Sequence, residues 1–274
     1  MQSLHEIVLQ WLHRREPYLR SLEVKEVFIG LKYCAAKVRG PRGDALGLAY
    51  VDYLDCFTFD PPSSIPGNAY SAIIRLIKSS NMLERVVSIA LLNAVSQYLL
   101  WNSEEYRSFK LVESNLINFI AELCRNARNA IVVGNMGPIV RALKDRGINV
   151  VVLERSPLMR LGALPDVALL TLDSIPEVAI ITGATLVNGT IDTVLQRLRS
   201  CKIKILVGPT AGIHPEIAQS LGIDVLASLR VRDLDATMEC IKLGGGRWHF
   251  AKYCNDYVID LRVNRADHCT HCQP

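Results

Sequence analysis

The sequence lacks the signals that would place it in several large classes of protein. Its formal net charge is only +4, and no cluster of Lys and Arg is interleaved with aromatic residues, so we expect no nucleic-acid partner. The longest stretch without charge, residues 86–103, contains several Ser, Asn and Gln side chains and therefore predicts a buried helix rather than a membrane span. The first residues show no basic segment followed by an apolar run, so we expect no export signal and a cytoplasmic location.

The short motifs of familiar enzymes are also missing. The sequence has no G-x-S-x-G, no H-E-x-x-H and no Walker lysine, so it names no reaction. Whether the protein is an enzyme therefore stays open at this point. Five cysteines stand singly among apolar residues, as is typical of buried, reduced thiols. They are Cys34, Cys56, Cys124, Cys201 and Cys240.

Residues 1–125 have the pattern of an α+β domain. The apolar spacing from Leu4 to Leu12 predicts a helix. Three apolar runs, residues 24–31, 33–38 and 45–51, predict an antiparallel meander of strands. Further helices are predicted over residues 69–78, 83–100 and 114–126. Strands that precede a group of helices indicate the α+β class.

The pattern changes near residue 126, where strands begin to alternate with helices. Five apolar, β-branched runs, from AIVVGN to IDVLASLRV, are separated mostly by amphipathic stretches. This alternation is typical of a parallel sheet that is covered by helices on both faces, and hence of an α/β fold. We therefore predict a Rossmann-like domain over residues 126–255, followed by a C-terminal strand and a Cys/His tail over residues 256–274.

Three of the predicted parallel strands end in loops that contain glycine. Glycine lets the chain turn sharply and lets a ligand approach the backbone, and the helix that begins near Pro138 offers N–H groups to an anion. Because the carboxyl ends of parallel strands share one edge of the sheet, we expect the loops to form one ligand-binding crevice. Plain turn chemistry is the alternative. The candidate residues are Gly134, Asn135, Gly137, Thr182, Gly183, Asn188, Gly208, Pro209 and Thr210.

Two further polar residues are candidates for a ligand site. Glu154 ends the second parallel strand, about twenty residues after Gly134, where dinucleotide-binding domains place the acid that binds ribose. The fingerprint is incomplete, however, because the first loop has the form G-x-x-G instead of G-x-G-x-x-G. His214 stands at a predicted helix start, where it binds a ligand or simply caps the helix. Both would serve an enzyme that acts on a small anionic or nucleotide-like substrate.

The final residues bring together donor atoms that soft metals prefer. Cys-x-x-Cys with adjacent histidines has the donor set of a zinc site, although the usual second Cys-x-x-Cys is missing. The alternative is an unstructured tail whose thiols bind nothing. The candidate ligands of a heavy or transition metal ion are His268, Cys269, His271 and Cys272.

These segments also resemble a known family. The chain from Gly134 to Arg155, the run EVAIITGATLVNGTID and the run ILVGPTAGIHPEIAQSLGIDVLASLRV are similar to a family of heavy-metal chelation proteins, and ITGATLVNGT is the most specific part. In the first half, VKEVFIGLKYCAAKV and IALLNAVSQ resemble the companion amino-terminal domain. The resemblance implies an enolase amino-terminal-like domain joined to a Rossmann-like domain.

The resemblance further implies a site in a cavity between the two domains, at the carboxyl edge of the parallel sheet. Glu154 and the loop residues named above, except Gly137, would line it. The expected ligand is a heavy metal or a metal-bearing small molecule, and a homo-oligomer is left open. The first loop departs from the pattern, because relatives often have an aromatic residue after the glycine, where this chain has Asn135.

Overall fold

Two sheets organise the part of the chain that the computed structural model describes, residues 2–56 and 59–262. Their strands are β1 (Glu23–Ile29), β2 (Tyr33–Gly40), β3 (Gly43–Tyr50), β4 (Leu111–Glu113), β5 (Asn129–Val133), β6 (Asn149–Glu154), β7 (Leu164–Pro165), β8 (Val178–Thr182), β9 (Ile203–Val207), β10 (Val225–Val231) and β11 (Cys254–Asp260). The smaller sheet has the order β1-β2-β3 and is antiparallel, which confirms the predicted meander.

The helices connect these strands and cover the sheets. They are α1 (Leu4–Arg14), α2 (Glu16–Leu19), α3 (Tyr53–Cys56), α4 (Ala69–Leu76), α5 (Met82–Gln97), α6 (Leu116–Leu123), α7 (Gly137–Lys144), α8 (Ala184–Asn188), α9 (Ile191–Arg197), α10 (Pro215–Ser220), α11 (Leu234–Lys242) and α12 (Arg247–Phe250). A π-helical turn, Tyr98–Asn102, extends α5.

The larger sheet is parallel through most of its width. Its order is β4-β11-β10-β9-β8-β5-β6-β7, and only β4 and β11 run antiparallel to their neighbours. The six strands β7-β6-β5-β8-β9-β10 follow the order 3-2-1-4-5-6 of dinucleotide-binding sheets. The strand order reverses between β5 and β8, so the crevice of such a sheet is expected at their carboxyl ends. The predicted α/β fold class is confirmed.

The domain boundary expected near residue 126 stays a prediction. Strand β4 and helix α6 precede residue 126, yet β4 pairs with β11 and α6 packs on the larger sheet. The predicted C-terminal strand is β11, which begins at Cys254. The tail beyond it, with His268, Cys269, His271 and Cys272, lies outside the described residues.

Helix α5 forms the centre of the first half of the chain. Asn81 caps its first turn by accepting hydrogen bonds from the N–H groups of Leu83 and Glu84. Together with the π-helical turn, it has the length and composition of a membrane span, but 83% of its most apolar stretch is buried by the rest of the fold. The smaller sheet packs so closely against α5 that Gly47 of β3 lies directly on the helix backbone. The helix is therefore the core helix of a folded domain, as predicted.

We expect Gly47→Ala to lower the free energy of unfolding by about 3 kcal/mol, because overpacking against a rigid backbone cannot be relieved by a rotamer change. A Cβ atom at residue 47 would lie 2.0 Å from the amide nitrogen of Ala94 and 2.2 Å from the carbonyl oxygen of Ala90. Urea denaturation measures the loss. Gly67→Ala is the matched control, since a Cβ there meets no atom within 4 Å; equal stability of both variants would contradict this packing.

A network of charged side chains joins α1 to α10 and to the segment after the π-helical turn. Arg15 donates two hydrogen bonds to Glu216, at 2.7 and 2.9 Å, and a third to Glu105 at 3.3 Å. Nε2 of the fully buried His214 lies 3.1 Å from Oε2 of Glu105. Nδ1 of His214 accepts from the N–H of Glu216 at 3.4 Å, so the ring proton is on Nε2 and is donated to Glu105. The network ties three distant parts of the sequence together.

This network predicts that part of the stability depends on pH. The hydrogen bond from His214 lowers the pKa of Glu105 below its ordinary 4.5, burial opposes the shift, and Arg15 adds to it. The ionised carboxylate therefore stabilises the fold fully above the unfolded pKa, and this contribution is lost as the pH falls through the lower folded pKa. We expect Glu105→Gln to make the free energy of unfolding less dependent on pH between about 5 and 3.

Chemical denaturation at a series of pH values measures this effect. Glu239→Gln, which changes an exposed residue of α11, is the control and should follow the wild-type curve. Parallel curves for Glu105→Gln and the wild type would show that the network contributes nothing to the pH dependence.

Candidate functional site

A cavity of about 710 Å³ lies at the carboxyl ends of the parallel strands, where they face the ends of β2 and β3. Its volume is in the range of small-molecule sites. Nine of the predicted site residues line it together: Gly134, Asn135, Glu154, Thr182, Gly183, Asn188, Gly208, Pro209 and Thr210.

The structure does not bring two of the predicted residues to this cavity. Gly137 begins α7 and is absent from the lining, as is His214. His214 instead caps α10 and pairs with Glu105, which was the alternative interpretation of its position. We therefore do not assign it a contact with a ligand in this cavity.

Two glycines set the shape of the loops. Gly134 has a φ of +95°, which favours glycine, and a Cβ atom there would lie 2.7 Å from Cγ2 of Thr182. Gly183 lies against the third loop, where a Cβ atom would be 2.4 Å from the amide nitrogen of Ala211. The second loop therefore contacts both the first and the third, as the shared sheet edge predicts.

The third loop is attached to the smaller sheet by a buried polar contact. The N–H of Tyr50 donates to Oγ1 of Thr210 at 2.8 Å. The amide of Asn93 donates to the carbonyl oxygens of Leu48, at 2.7 Å, and of Thr210, at 2.9 Å. One buried side chain of α5 thus positions both β3 and the loop after β9, and with them two sides of the cavity.

Glu154 occupies the position where the first loop was expected to receive an anion. Its Oε2 accepts the N–H of Asn135 and its Oε1 the N–H of Ser156, both at 2.8 Å. The N–H of Gly134 donates to the carbonyl oxygen of Leu153. These loop amides are therefore used by the chain's own acceptors, and the loop presents a carboxylate to the cavity instead of an anion-binding cradle.

Carboxylates are concentrated on one wall of the cavity. We call the following four residues the acidic wall: Asp52, Asp55, Glu154 and Asp166. Burial raises the pKa of Tyr50, and three members of the acidic wall raise it further through their negative charge. Burial also raises the pKa of Asp55, although its ion pair with Arg155 opposes the shift. The field at this wall is therefore negative and favours a cation.

Beside the acidic wall, the cavity is lined by aromatic and basic residues. Burial raises the pKa of Tyr33, while the charge of Arg247 opposes the shift. The rings of Tyr33 and Tyr50 meet edge to face with centroids 5.8 Å apart. Trp248 and Lys32 also line the cavity, and Trp248 is 69% exposed. A ligand with a flat apolar part would find aromatic surface here.

Within the described residues, no three His, Cys, Asp or Glu side chains converge as a metal ion requires. The acidic wall therefore provides a field rather than a complete set of ligands. Much of the remaining lining is apolar, with Met82, Met159, Leu170 and Val187 among its members. This combination suits an organic molecule better than a bare ion.

The cavity residues that come from the smaller sheet and the segment after it were not predicted from the sequence. Tyr33, Tyr50, Asp52 and Asp55 lie at or beyond the ends of β2 and β3. Polar residues after a strand are a weak signal of a site, and only the packing of the two sheets brings these residues to the cavity.

Comparison with known families supports the resemblance seen in the sequence. Two family models, both described as "Putative heavy-metal chelation", match residues 13–96 and 119–260. An uncharacterized protein of Methanocaldococcus jannaschii is 34% identical over 193 residues, which cover 69% of this chain and 70% of that protein.

Solved structures agree in fold. A protein of unknown function from Pyrococcus horikoshii is 25% identical, with a TM-score of 0.81 over 94% of this chain and 99% of its own. A protein of unknown function from Desulfitobacterium hafniense is 17% identical, with a TM-score of 0.75 over 93% of this chain and 97% of its own. The sequence matches and the shared architecture lead to one conclusion: this chain belongs to the family described as "Putative heavy-metal chelation".

Proposed function

We propose that the protein binds a small organic molecule that carries a metal ion or another cationic centre, and that it does so in the 710 Å³ cavity. The acidic wall is the observation that carries this proposal. It provides a negative field in a cavity of small-molecule size, while the described residues do not provide the ligand set of a bare metal ion. The family description of heavy-metal chelation agrees with a cationic ligand.

The cavity offers distinct surfaces to different parts of such a ligand. The cationic centre would face the acidic wall, and a planar organic part would lie against the rings of Tyr33, Tyr50 and Trp248. Lys32 would face an anionic group of the ligand. Because Asn93 and Thr210 fix the two sides of the cavity relative to each other, the site is largely formed before the ligand arrives, which lowers the entropic cost of binding.

An enzyme acting on a small anionic or nucleotide-like substrate is the second candidate. The observation in its favour is the position of Glu154 at the end of β6, in a sheet with the strand order of dinucleotide-binding domains. The carboxylate still has lone pairs for a ribose hydroxyl, although it occupies the amides that phosphates would use. A nucleotide among the molecules released from the protein would favour this candidate.

The described cysteines bear on the cellular location of the protein. The six described cysteines are free thiols, which suits the reducing conditions of the cytoplasm. We propose a cytoplasmic protein whose partner is its small-molecule ligand, with self-association as a further expectation.

Native mass spectrometry of freshly isolated protein, combined with elemental analysis, tests the cavity. We expect a bound organic molecule that is released on denaturation, with or without a metal. The double variant Asp52→Asn with Asp166→Asn should lose most of it, because two charges of the acidic wall are removed while side-chain size is kept. Asp145→Asn, at an exposed residue after α7, is the control and should keep the ligand.

Two results would contradict the cavity proposal. One is full retention of the ligand by the double variant. The other is wild-type protein that carries no ligand and shows no thermal shift with divalent metal ions, whether supplied alone or as metal–citrate complexes.

A separate prediction concerns the Cys/His tail. If His268, Cys269, His271 and Cys272 bind a soft metal, the full chain should take up Cd²⁺ or Zn²⁺ and a chain ending at Ala266 should not. Elemental analysis after dialysis measures the metal content of both. Equal metal content in the two chains would show that the tail is not the metal site and would leave the cavity as the candidate.

A further inference from the structure

A second pocket, of about 350 Å³, lies where the start of α1, the end of α4, helix α5 and the start of α9 meet. The turn Asn188–Gly189–Thr190 lies between it and the larger cavity, since Asn188 and Thr190 line the larger cavity and Gly189 lines this one. The polar side chains of the second pocket are His5, Lys78, Ser79, Arg85 and Asp192.

Arg85 is the unusual member of this group. It is half-buried, and this burial lowers the pKa of its guanidinium. Among residues 2–56 and 59–262, its guanidinium forms no ion pair with a carboxylate and no hydrogen bond. A half-buried guanidinium without a protein partner is available to an anion that enters the pocket.

The nearby charges do not supply that anion. Asp192 is near enough to oppose the lowering of the Arg85 pKa, but its Oδ1 accepts the N–H of Leu4 at 2.9 Å and makes no ion pair with Arg85. Arg155, which lines the larger cavity, adds repulsion. With Lys78 and Arg85 against one Asp192, the described side chains give the pocket a net positive charge.

The absence of a side chain at Gly189 leaves space for the guanidinium. Its φ is +76°, and a Cβ atom there would lie 2.3 Å from Nη2 of Arg85. Any side chain at this position would therefore displace the guanidinium from the pocket. Gly189 belongs to the segment ITGATLVNGT, and both its positive φ and the approach of Arg85 favour a residue without a Cβ atom there.

We propose that the second pocket binds a small oxyanion of the phosphate class, with Arg85 as its charged anchor. A guanidinium forms paired, charge-assisted hydrogen bonds with phosphate oxygens, and Lys78, Ser79 and His5 offer further donors. The pocket volume accommodates inorganic phosphate or a phosphate monoester group. This site uses different side chains from the acidic wall and does not depend on the ligand of the larger cavity.

Titration with inorganic phosphate in a phosphate-free buffer tests the site, with NaCl at equal ionic strength as the reference. We expect saturable binding by calorimetry and a phosphate-specific rise of the melting temperature. Arg85→Gln should raise the dissociation constant about tenfold or more, the effect expected from the loss of a charge-assisted contact. Arg14→Gln, at an exposed residue of α1, removes the same charge elsewhere and should bind as the wild type does.

A second measurement separates an anchor from an arginine that is merely structural. Without phosphate, Arg85→Gln should be at least as stable as the wild type, because an unpaired, half-buried charge has been removed. Absence of phosphate-specific binding to the wild type, or unchanged affinity in Arg85→Gln, would overturn the proposal. Should Arg85→Gln fail to fold, the exposed Lys78→Gln decides by the same titration: a weaker affinity supports the site, and an unchanged one rejects it.

Discussion

The buried hydrogen bonds of Asn93 are the contact on which the rest of the site depends. A buried amide group needs hydrogen-bond partners, and this one donates to the carbonyl oxygens of Leu48 in β3 and of Thr210 in the loop after β9. The distance between the two sheets is thereby fixed at the edge where the parallel strands end. Together with the hydrogen bond from the N–H of Tyr50 to Oγ1 of Thr210, this contact holds the first half of the chain against the glycine loops of the second half.

Local patterns predicted most of the fold. The period-2 runs of the meander, the five buried strands and the helices between them depend on the order of neighbouring residues, and their positions agree with the structure within a few residues. Strands β7 and β4 are too short to show a hydrophobic period, so the sequence did not predict them. The glycine loops converge because parallel topology requires it, which is why nine of the predicted residues line one cavity; their role in binding a ligand stays a prediction.

Long-range contacts explain what the sequence could not show. A histidine before a proline has the same local pattern whether it binds a ligand or caps a helix, and Glu105, 109 residues away in the sequence, decides between them for His214. Glu154 likewise stands where an acid binds ribose in other sheets, but its contacts with the amides of Asn135 and Ser156 use it to shape its own loops. A shared strand order therefore does not carry a shared chemistry.

The two outer strands of the larger sheet, three residues in β4 and two in β7, have a further consequence. The edge strand of a sheet can pair with a strand of another chain through its unpaired N–H and C=O groups, and a longer edge strand offers more of these groups. Here each edge strand is so short that another chain could form only a few backbone hydrogen bonds with it. The longer, apolar strands between the two edge strands are thus protected from the edge-to-edge aggregation that their composition would otherwise favour.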